Sequence, residues 1–226
     1  MIKKFNKNIT ISVIGLGYVG LPLALEFSNF FKVVGVDCKK KRIIQLKKKF
    51  KKLKNISFKN EFNNNYNSDV YIVAVPTPLD KNKKPDLTYL IKATNNICKS
   101  LKPGNIIVYE STVYPGATEE ILIPLIKKKT NLFYNKDFFI GYSPERINPG
   151  DKKNKLTNIK KIISGGSPNT LFFLKKLYEK IIKAGVHSAP NIKVAEAAKI
   201  LENVQRDINI SLMNEAALIF DKLNID

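Results

Sequence analysis

Hydrophobic and polar positions follow two patterns in turn, short apolar runs and stretches with apolar residues at every third or fourth position. The runs are typical of buried strands, and the wider spacing is typical of helices that cover one face of a sheet. The predicted elements are strand 10–15, helix 18–30, strand 32–36, helix 39–49, strand 69–75, helix 87–100, strand 105–110, helix 116–129, strand 138–142, strand 161–164 and helix 169–182. This alternation predicts an α/β fold with a doubly wound, mostly parallel sheet.

Two further segments depart from this rhythm. Residues 143–157 combine proline, glycine and scattered charges, which predicts a loop beyond the strand ends, where sites tend to lie. From Ile192 onward, apolar residues recur at steps of three and four and predict one helix of about thirty residues. We therefore expect a first domain at 1–190 and a long central helix at 191–226 that begins a middle domain.

The 226-residue chain is 44% hydrophobic and can bury a substantial core. Its formal net charge of +20 raises the alternative of a nucleic-acid-binding protein, because lysines cluster between positions 39 and 52. The lysines are spread over the whole chain among many Asn and Ile residues, however, which indicates a compositional bias. We therefore expect no nucleic-acid partner, although a positive field would attract an anionic nucleotide.

The sequence gives no sign of a membrane or metal protein. No segment approaches the roughly 18 consecutive apolar residues of a membrane span, and no apolar leader precedes the first strand, so we expect a cytoplasmic protein without a membrane partner. Cys38 and Cys98 have neither a CxxC spacing nor a nearby histidine cluster, which predicts reduced thiols and no metal site. His187 is the only histidine and cannot form a zinc site alone.

A glycine motif, Gly15-Leu-Gly-Tyr-Val-Gly20, follows the first strand directly and opens the first helix, the context that a GxGxxG dinucleotide site requires. Gly15 permits the tight turn, Gly17 lets the backbone approach a pyrophosphate, and Gly20 allows close packing of helix on strand. The phosphates are expected at the amino end of the helix. Tyr18 and Val19 complete the predicted cofactor-binding loop, and the first domain is expected to be Rossmann-like.

Asp37 ends the second strand, twenty residues after Gly17. A carboxylate at this point hydrogen-bonds the ribose hydroxyls and disfavours a 2′-phosphate, which predicts NAD in preference to NADP. The basic residues 39–42 temper that choice, and Arg42 among them is included in the predicted cofactor site. FAD binding, and a glycine turn that packs a helix without a ligand, stay open as alternatives.

Four motifs lie at successive strand ends. They are Ile14-Gly-Leu-Gly-Tyr-Val-Gly-Leu-Pro22, Val75-Pro-Thr-Pro78, Glu110-Ser-Thr-Val-Tyr-Pro-Gly116 and Tyr142-Ser-Pro-Glu-Arg-Ile-Asn-Pro-Gly150. In this order they resemble the UDP-glucose/GDP-mannose dehydrogenase family over essentially the whole chain. Residues 143–151 and 156–161 look most like the branch that oxidises UDP-N-acetylglucosamine or UDP-N-acetylgalactosamine. The resemblance implies a two-step, NAD-dependent oxidation of the sugar C6 alcohol to a carboxylate, for surface polysaccharide biosynthesis.

The resemblance also implies roles for residues in the loops after the strands. Thr77 and Thr112 would lie beside the nicotinamide, with Thr112 also taking part in catalysis; ordinary turn chemistry is the alternative for both. Glu145 would act as a general base or orient a water, and it would contact the substrate. Arg146 would contact the anionic substrate or fix the loop. A solvated Glu-Arg pair on the surface is the alternative for these two residues.

Three polar residues share one face of the predicted long helix. Lys199, Asn203 and Arg206 fall at i, i+4 and i+7. In the family the matching lysine and asparagine stabilise a developing oxyanion and hold a water near the reacting carbon. The resemblance therefore implies catalytic and substrate-binding roles for Lys199 and Asn203, and a substrate contact for Arg206. The alternative is the polar face of an ordinary amphipathic helix.

The acid-forming step in this family needs a nucleophilic cysteine, which lies in a glycine-rich segment after the long helix. Nothing in the sequence matches that segment or the UDP-binding C-terminal domain, and Cys38 and Cys98 are better interpreted as packing or incidental residues. A shortened chain, an interrupted gene or a short protein with another task would each account for this. The first two predict little dehydrogenase activity for this polypeptide alone.

Several functions remain open from the sequence. The rivals to a UDP-N-acetylhexosamine dehydrogenase are a UDP-glucose or GDP-mannose 6-dehydrogenase, another enzyme of the 6-phosphogluconate-dehydrogenase-like group, and a catalytically silent NAD-binding module. The long helix would expose an apolar stripe if no second domain covered it. We therefore expect a homodimer formed through this helix, with a UDP-sugar as the small-molecule partner.

Overall fold

The structure, a computed structural model, describes residues 2–60, 67–145 and 156–225. Within these ranges eight strands form one sheet in the order β3-β2-β1-β4-β5-β6-β7-β8. The strands are β1 Thr10–Ile14, β2 Lys32–Val36, β3 Ile56–Lys59, β4 Val70–Val73, β5 Ile106–Tyr109, β6 Phe139–Tyr142, β7 Lys161–Gly165 and β8 Val186–Ser188. The helices are α1 Gly20–Ser28, α2 Lys40–Lys49, α3 Thr88–Cys98, α4 Ile123–Thr130, α5 Pro168–Tyr178 and α6 Ile192–Leu223, with a π-helical turn at Thr118–Leu122 and a 3₁₀ turn at Leu156–Asn158.

The centre of the sheet is parallel and changes its winding direction beside β1. Ile11 of β1 pairs with Val33 of β2 on one side and with Val70 of β4 on the other. The carboxyl end of β1 is therefore the topological switch point, where doubly wound sheets bind their ligands. The predicted doubly wound, mostly parallel sheet is confirmed.

Two apolar layers sandwich the sheet because successive strand residues point to opposite faces. In β5, Ile106 and Val108 pack into one layer, whereas Ile107 and Tyr109 pack into the other. Side chains of α1, α2 and α5 complete the first layer, and side chains of α3, α4 and the first turn of α6 complete the second. These two layers hold the strand ends, and thus the loops that follow them, in fixed positions.

One strand reverses direction. β7 runs antiparallel to β6, with Tyr142 opposite Ser164. The connection from β6 to β7 therefore begins and ends at the same edge of the sheet. Continuing this register beyond Tyr142 brings Lys161, the first residue of β7, opposite Glu145.

Three local features differ from the sequence expectations. The edge strands β3 and β8 were not predicted, because four and three residues are too few to give a clear pattern. The predicted helix 116–129 is instead the π-helical turn followed by α4. Pro124 explains this break, since it has no N–H group to bond the carbonyl one turn earlier.

The predicted long helix is confirmed as α6, which has 32 residues. The side chain of Asn191 caps its start by accepting a hydrogen bond from the N–H of Val194 at 2.9 Å. Ile192, Ala195 and Glu196 are buried against the sheet layer, whereas the later turns expose apolar side chains, among them Leu201, Val204, Ile208, Leu212, Ile219 and Leu223. No described helix, this one included, combines the length and apolar character needed to cross a lipid bilayer.

Candidate functional site

The glycine loop joins β1 to α1 at the switch point. Gly15 has a φ of +90°, and a Cβ there would lie 2.5 Å from the carbonyl oxygen of Ala74. A Cβ on Gly20 would lie 1.8 Å from the carbonyl oxygen of Gly15. A Cβ on Gly17, by contrast, would meet no atom within 4 Å. The loop therefore has two positions that only glycine fits and one backbone position open to a ligand, as a pyrophosphate site requires.

The two residues before Gly20 face opposite ways. Tyr18 is 61% exposed, whereas Val19 is 9% exposed and belongs to the core layer beside α1. The side chain of Val19 thus packs inside the fold and leaves only its backbone for a ligand. Tyr18 is the side chain of this loop that a ligand can reach.

The carboxylate of Asp37 is fixed beside this loop, directly after β2. Its Oδ2 accepts a hydrogen bond from the N–H of Leu16 at 2.9 Å, and its Oδ1 accepts one from the N–H of Lys39 at 2.8 Å. Each carboxylate oxygen can accept a second hydrogen bond, so ribose hydroxyls can still bind. The acidic side chain therefore fits the nucleoside of a dinucleotide.

Arg42 of α2 braces the same loop. Its Nε and Nη2 atoms donate hydrogen bonds to the carbonyl oxygen of Leu16 at 3.3 and 3.2 Å. The side chain thus holds the carbonyl group of Leu16, whose N–H group binds Asp37, a role that the sequence did not reveal. A direct contact between Arg42 and the cofactor stays a prediction.

Two hydrogen bonds tie the loops after β4 and β5 together. The hydroxyl of Thr77 donates to the carbonyl oxygen of Thr112 at 2.7 Å, and the hydroxyl of Ser111 donates to the carbonyl oxygen of Val75 at 2.6 Å. Thr77 therefore performs the turn chemistry that was its alternative interpretation. Both threonines lie at the sheet edge that carries the glycine loop, since β1, β4 and β5 are parallel neighbours.

Glu145, in the loop after β6, is only 5% exposed and is thus no solvated surface residue. The Nζ of Lys161 lies 2.6 Å from Oε2 of Glu110 and 3.8 Å from Oε2 of Glu145. The hydroxyl of Tyr178, at the end of α5, donates to the other carboxylate oxygen of Glu110. All four side chains are buried. Arg146, the next residue, lies outside the described residues.

The charges in this cluster depend on one another. Loss of hydration raises the pKa of Glu110 to about 7, while Lys161 opposes this rise and Glu145 adds to it. Burial alone would lower the pKa of Lys161, but the two carboxylates outweigh it and raise that pKa. Lys161 is therefore a cation at neutral pH, whereas Glu110 changes its protonation state near pH 7.

A buried carboxylate fastens α6 to the rest of the fold. The Oε2 and Oε1 atoms of Glu196 accept hydrogen bonds from the N–H groups of Gly116 at 2.6 Å and Thr118 at 3.1 Å. These N–H groups lie at the amino end of the helical segment 118–130, where a negative charge is favourable. α6 is thus attached to the segment that follows Thr112.

The polar residues predicted on the long helix lie on α6 where it leaves the sheet. The side chain of Lys199 is 13% exposed, and its Nζ lies 3.9 Å from Oε2 of Glu202. Arg206 is more exposed and pairs with the other oxygen of Glu202 at 3.2 Å. Asn203 is exposed. Glu202, which the sequence analysis did not single out, thus pairs with two of the three predicted residues.

Neither cysteine joins this arrangement. Cys98 ends α3 and borders a shallow pocket with Asn95 and Lys129. Burial raises the pKa of its thiol to about 11, so the thiol stays protonated at neutral pH. Cys38 is exposed and directly follows Asp37. The structure therefore gives neither side chain the surroundings of a nucleophile.

The structure reveals buried polar residues that the sequence analysis passed over. Glu110 directly follows the apolar strand β5, and Lys161 begins the strand β7. A charge at the end of a buried strand was the available signal. This signal did not identify the side chains that each charge contacts, because those side chains come from elements distant in sequence.

Known proteins match along the whole chain. The description "UDP-glucose/GDP-mannose dehydrogenase family, NAD binding domain" fits residues 9–182, and the central domain of the same family fits residues 193–226. The UDP-N-acetyl-D-glucosamine 6-dehydrogenase of Pseudomonas aeruginosa is 49% identical over 97% of this chain and 55% of its own length. Protein CapL of Staphylococcus aureus is 51% identical over 97% of this chain and 54% of its own length.

The fold of the chain also matches that of solved structures. The solved structure of a UDP-D-ManNAc dehydrogenase from Pyrococcus horikoshii has a TM-score of 0.90 and 31% identity, over 96% of this chain and 55% of that one. The chain thus spans about half the length of the relatives it matches. The resemblance inferred from the four motifs is confirmed, and the chain belongs to the UDP-glucose/GDP-mannose dehydrogenase family.

Proposed function

We propose that the chain is the cofactor-binding part of an NAD-dependent nucleotide-sugar 6-dehydrogenase that oxidises the C6 alcohol of a UDP-N-acetylhexosamine to a carboxylate. One observation carries this proposal. The backbone at Gly17 is open to a ligand, and the fixed carboxylate of Asp37 lies next to it. The match of residues 9–182 to a family of NAD-binding domains supports the same cofactor.

The proposed cofactor site extends along the switch point. The open backbone at Gly17 and the amino end of α1 receive the pyrophosphate, and Asp37 accepts hydrogen bonds from the ribose. Thr77 and Thr112, tied together at 2.7 Å, border the nicotinamide, which accepts the hydride when NAD is bound. A 2′-phosphate beside Asp37 would meet a carboxylate, which favours NAD over NADP.

The proposed substrate side combines Glu145 with residues of α6. The half-buried ammonium of Lys199 stabilises the oxygen that becomes negative as the alcohol is oxidised. Asn203 supplies an amide that can hold a water, and the carboxylate of Glu145 accepts a proton or orients that water. Arg146 and Arg206 are assigned to contacts with the anionic nucleotide.

The relatives support an N-acetylated UDP-sugar as the substrate. The Pseudomonas aeruginosa relative at 49% identity is a UDP-N-acetyl-D-glucosamine 6-dehydrogenase, and the solved Pyrococcus horikoshii relative is a UDP-D-ManNAc dehydrogenase. UDP-glucose and GDP-mannose are the competing substrates within the family. A silent NAD-binding module is a second candidate function, favoured by the surroundings of Cys38 and Cys98, neither of which suits a nucleophile.

We also assign the exposed apolar side chains of α6 to contact with a second copy of the chain. Leu201, Ile208 and Leu212 are each at least 58% exposed. Substituting Ile208 by lysine is expected to shift a dimer to a monomer in sedimentation equilibrium. A wild-type chain that is already monomeric at high concentration contradicts this assignment. A cytoplasmic location stays a prediction.

The first experiment measures NADH formation by the NAD-loaded chain with UDP-N-acetylglucosamine. We expect NAD binding without sustained turnover, because neither cysteine suits the second oxidation step. Steady turnover would show that the interpretation of the cysteines is wrong, and failure to bind NAD would contradict the proposed function. The Asp37→Ala variant is the control, and it is expected to lose NAD binding.

The substrate is tested by joining this chain to the part of the Pseudomonas aeruginosa relative beyond the matched region. The hybrid is expected to oxidise UDP-N-acetylglucosamine at least about tenfold faster than UDP-glucose or GDP-mannose. Lys199→Ala in the same hybrid is the matched inactive control. Preference for UDP-glucose or GDP-mannose would contradict the proposed substrate.

A further inference from the structure

Glu145 shares its buried surroundings with polar side chains from three other elements. Lys161 begins β7, Glu110 directly follows β5, and Tyr178 ends α5. The ammonium of Lys161 bridges the two carboxylates at 2.6 and 3.8 Å, and the hydroxyl of Tyr178 binds Glu110 from the far side. The charge of Glu110 also acts on Tyr142 of β6, where burial, Glu196 and Glu110 together raise the pKa of the hydroxyl.

Stability alone does not account for this cluster. Removing charges from water is costly, and apolar side chains of similar volume often replace buried ion pairs without loss of stability. Here one lysine serves two carboxylates, and one of these is the residue assigned to the chemistry. The cluster therefore has an arrangement expected of groups that orient a working side chain.

The topology explains how these residues meet. The loops after the parallel strands β5 and β6 start at the same edge of the sheet, and the antiparallel β7 begins there. Glu110 is followed at once by Ser111 and Thr112, which hold the loop after β4. Lys161 thus joins the carboxylate of Glu145 to the strand end that also positions Thr112.

We propose that Glu110 and Lys161 are positioning residues for Glu145. Glu110, held by Tyr178, fixes the ammonium of Lys161, and this ammonium sets the orientation of the Glu145 carboxylate at the strand ends. The inference rests on the proposed function only in giving Glu145 a role toward the substrate. The contacts themselves are made between residues of this chain.

The test follows carboxyl signals of ¹³C-labelled glutamate by NMR across a pH titration of the 226-residue chain. Glu110→Gln and Glu145→Gln identify the two signals. Glu145→Gln removes a negative charge that raises the pKa of Glu110, so it is expected to lower the titration midpoint of Glu110 by about one pH unit. The control is Glu179→Gln, an exposed change directly after α5, which is expected to leave that midpoint unchanged.

Orientation is tested by the Glu145 signal itself. Lys161→Met is expected to shift and broaden this signal, and Lys161→Arg is expected to restore it, since arginine keeps the charge and the donors. If Lys161→Met does not fold, the Glu145→Gln and Lys161→Arg spectra still decide the question. The proposal would be overturned if the titration midpoint of Glu110 were the same in Glu145→Gln as in the wild type. It would also be overturned if the Glu145 signal differed from the wild-type signal as much in Lys161→Arg as in Lys161→Met.

Calorimetry with NAD on the same samples separates this proposal from the proposed function. Failure of the wild-type chain to bind NAD contradicts the function and leaves the coupling measurable. Intact NAD binding without coupling between Glu145 and Glu110 contradicts only the positioning role.

Discussion

Two glycines of the cofactor loop give a matched pair of substitutions with opposite expected effects. In Gly20→Ala, the new Cβ would lie 1.8 Å from the carbonyl oxygen of Gly15, so backbone must move. Overpacking of this kind costs about 1–3 kcal/mol or more. In Gly17→Ala, the Cβ meets nothing within 4 Å. The backbone at Gly17 does not require glycine, so the stability should change by less than about 1 kcal/mol.

The same pair separates folding from ligand binding. The methyl group of Gly17→Ala would occupy the space through which a pyrophosphate reaches the backbone, and we expect NAD affinity to fall at least tenfold, about 1.4 kcal/mol. Urea denaturation gives the stability of each variant, and calorimetry gives its affinity for NAD. Wild-type affinity in Gly17→Ala, or wild-type stability in Gly20→Ala, would refute the assignment of the loop.

Three further predictions concern the acidic side chains. Glu196→Ala leaves two buried N–H groups without their partner and should cost about 2–4 kcal/mol in urea denaturation. The control Lys193→Ala removes only an exposed ion pair and should leave the denaturation midpoint almost unchanged; equal losses in the two variants would contradict the role of Glu196. The pKa of Glu110 is about 7 in the folded chain against an ordinary 4.5, so folding takes up a proton between these values. The free energy of unfolding should therefore fall by up to about 3 kcal/mol as pH rises from 5 to 8, and Glu110→Gln should remove this contribution. Thermal unfolding with the same pH dependence in the wild type and in Glu110→Gln would contradict this prediction. Asp37→Asn keeps the shape but replaces one acceptor by a donor, so calorimetry should show at least tenfold weaker NAD binding and a smaller preference over NADP; an unchanged ratio would contradict the ribose contact.

The cofactor loop could be predicted from the sequence because its requirements are local. A turn that needs glycine, a helix that starts at once and an acidic residue at the next strand end all lie within residues 10–37. The long helix was equally clear, since its apolar spacing extends over many turns. These features depend on few contacts with distant parts of the chain.

The cluster around Lys161 could not be predicted in the same way. A lysine at the start of an apolar strand does not indicate whether that strand runs parallel or antiparallel to its neighbour. The contact between Glu145 and Lys161 depends on β7 running antiparallel to β6. The contact with Glu110 depends in turn on β5 and β6 being neighbours. By contrast, the break before α4 could have been foreseen from Pro124, because proline is tolerated in the first turn of a helix but not in the interior of the predicted helix 116–129.

The most direct test of the central claim is a calorimetric titration of the wild-type chain with NAD and, separately, with NADP. The site formed by Gly17 and Asp37 predicts saturable binding of one NAD per chain and weaker binding of NADP. No binding, or a preference for NADP, would contradict the assignment of this chain as the NAD-binding part of a nucleotide-sugar dehydrogenase.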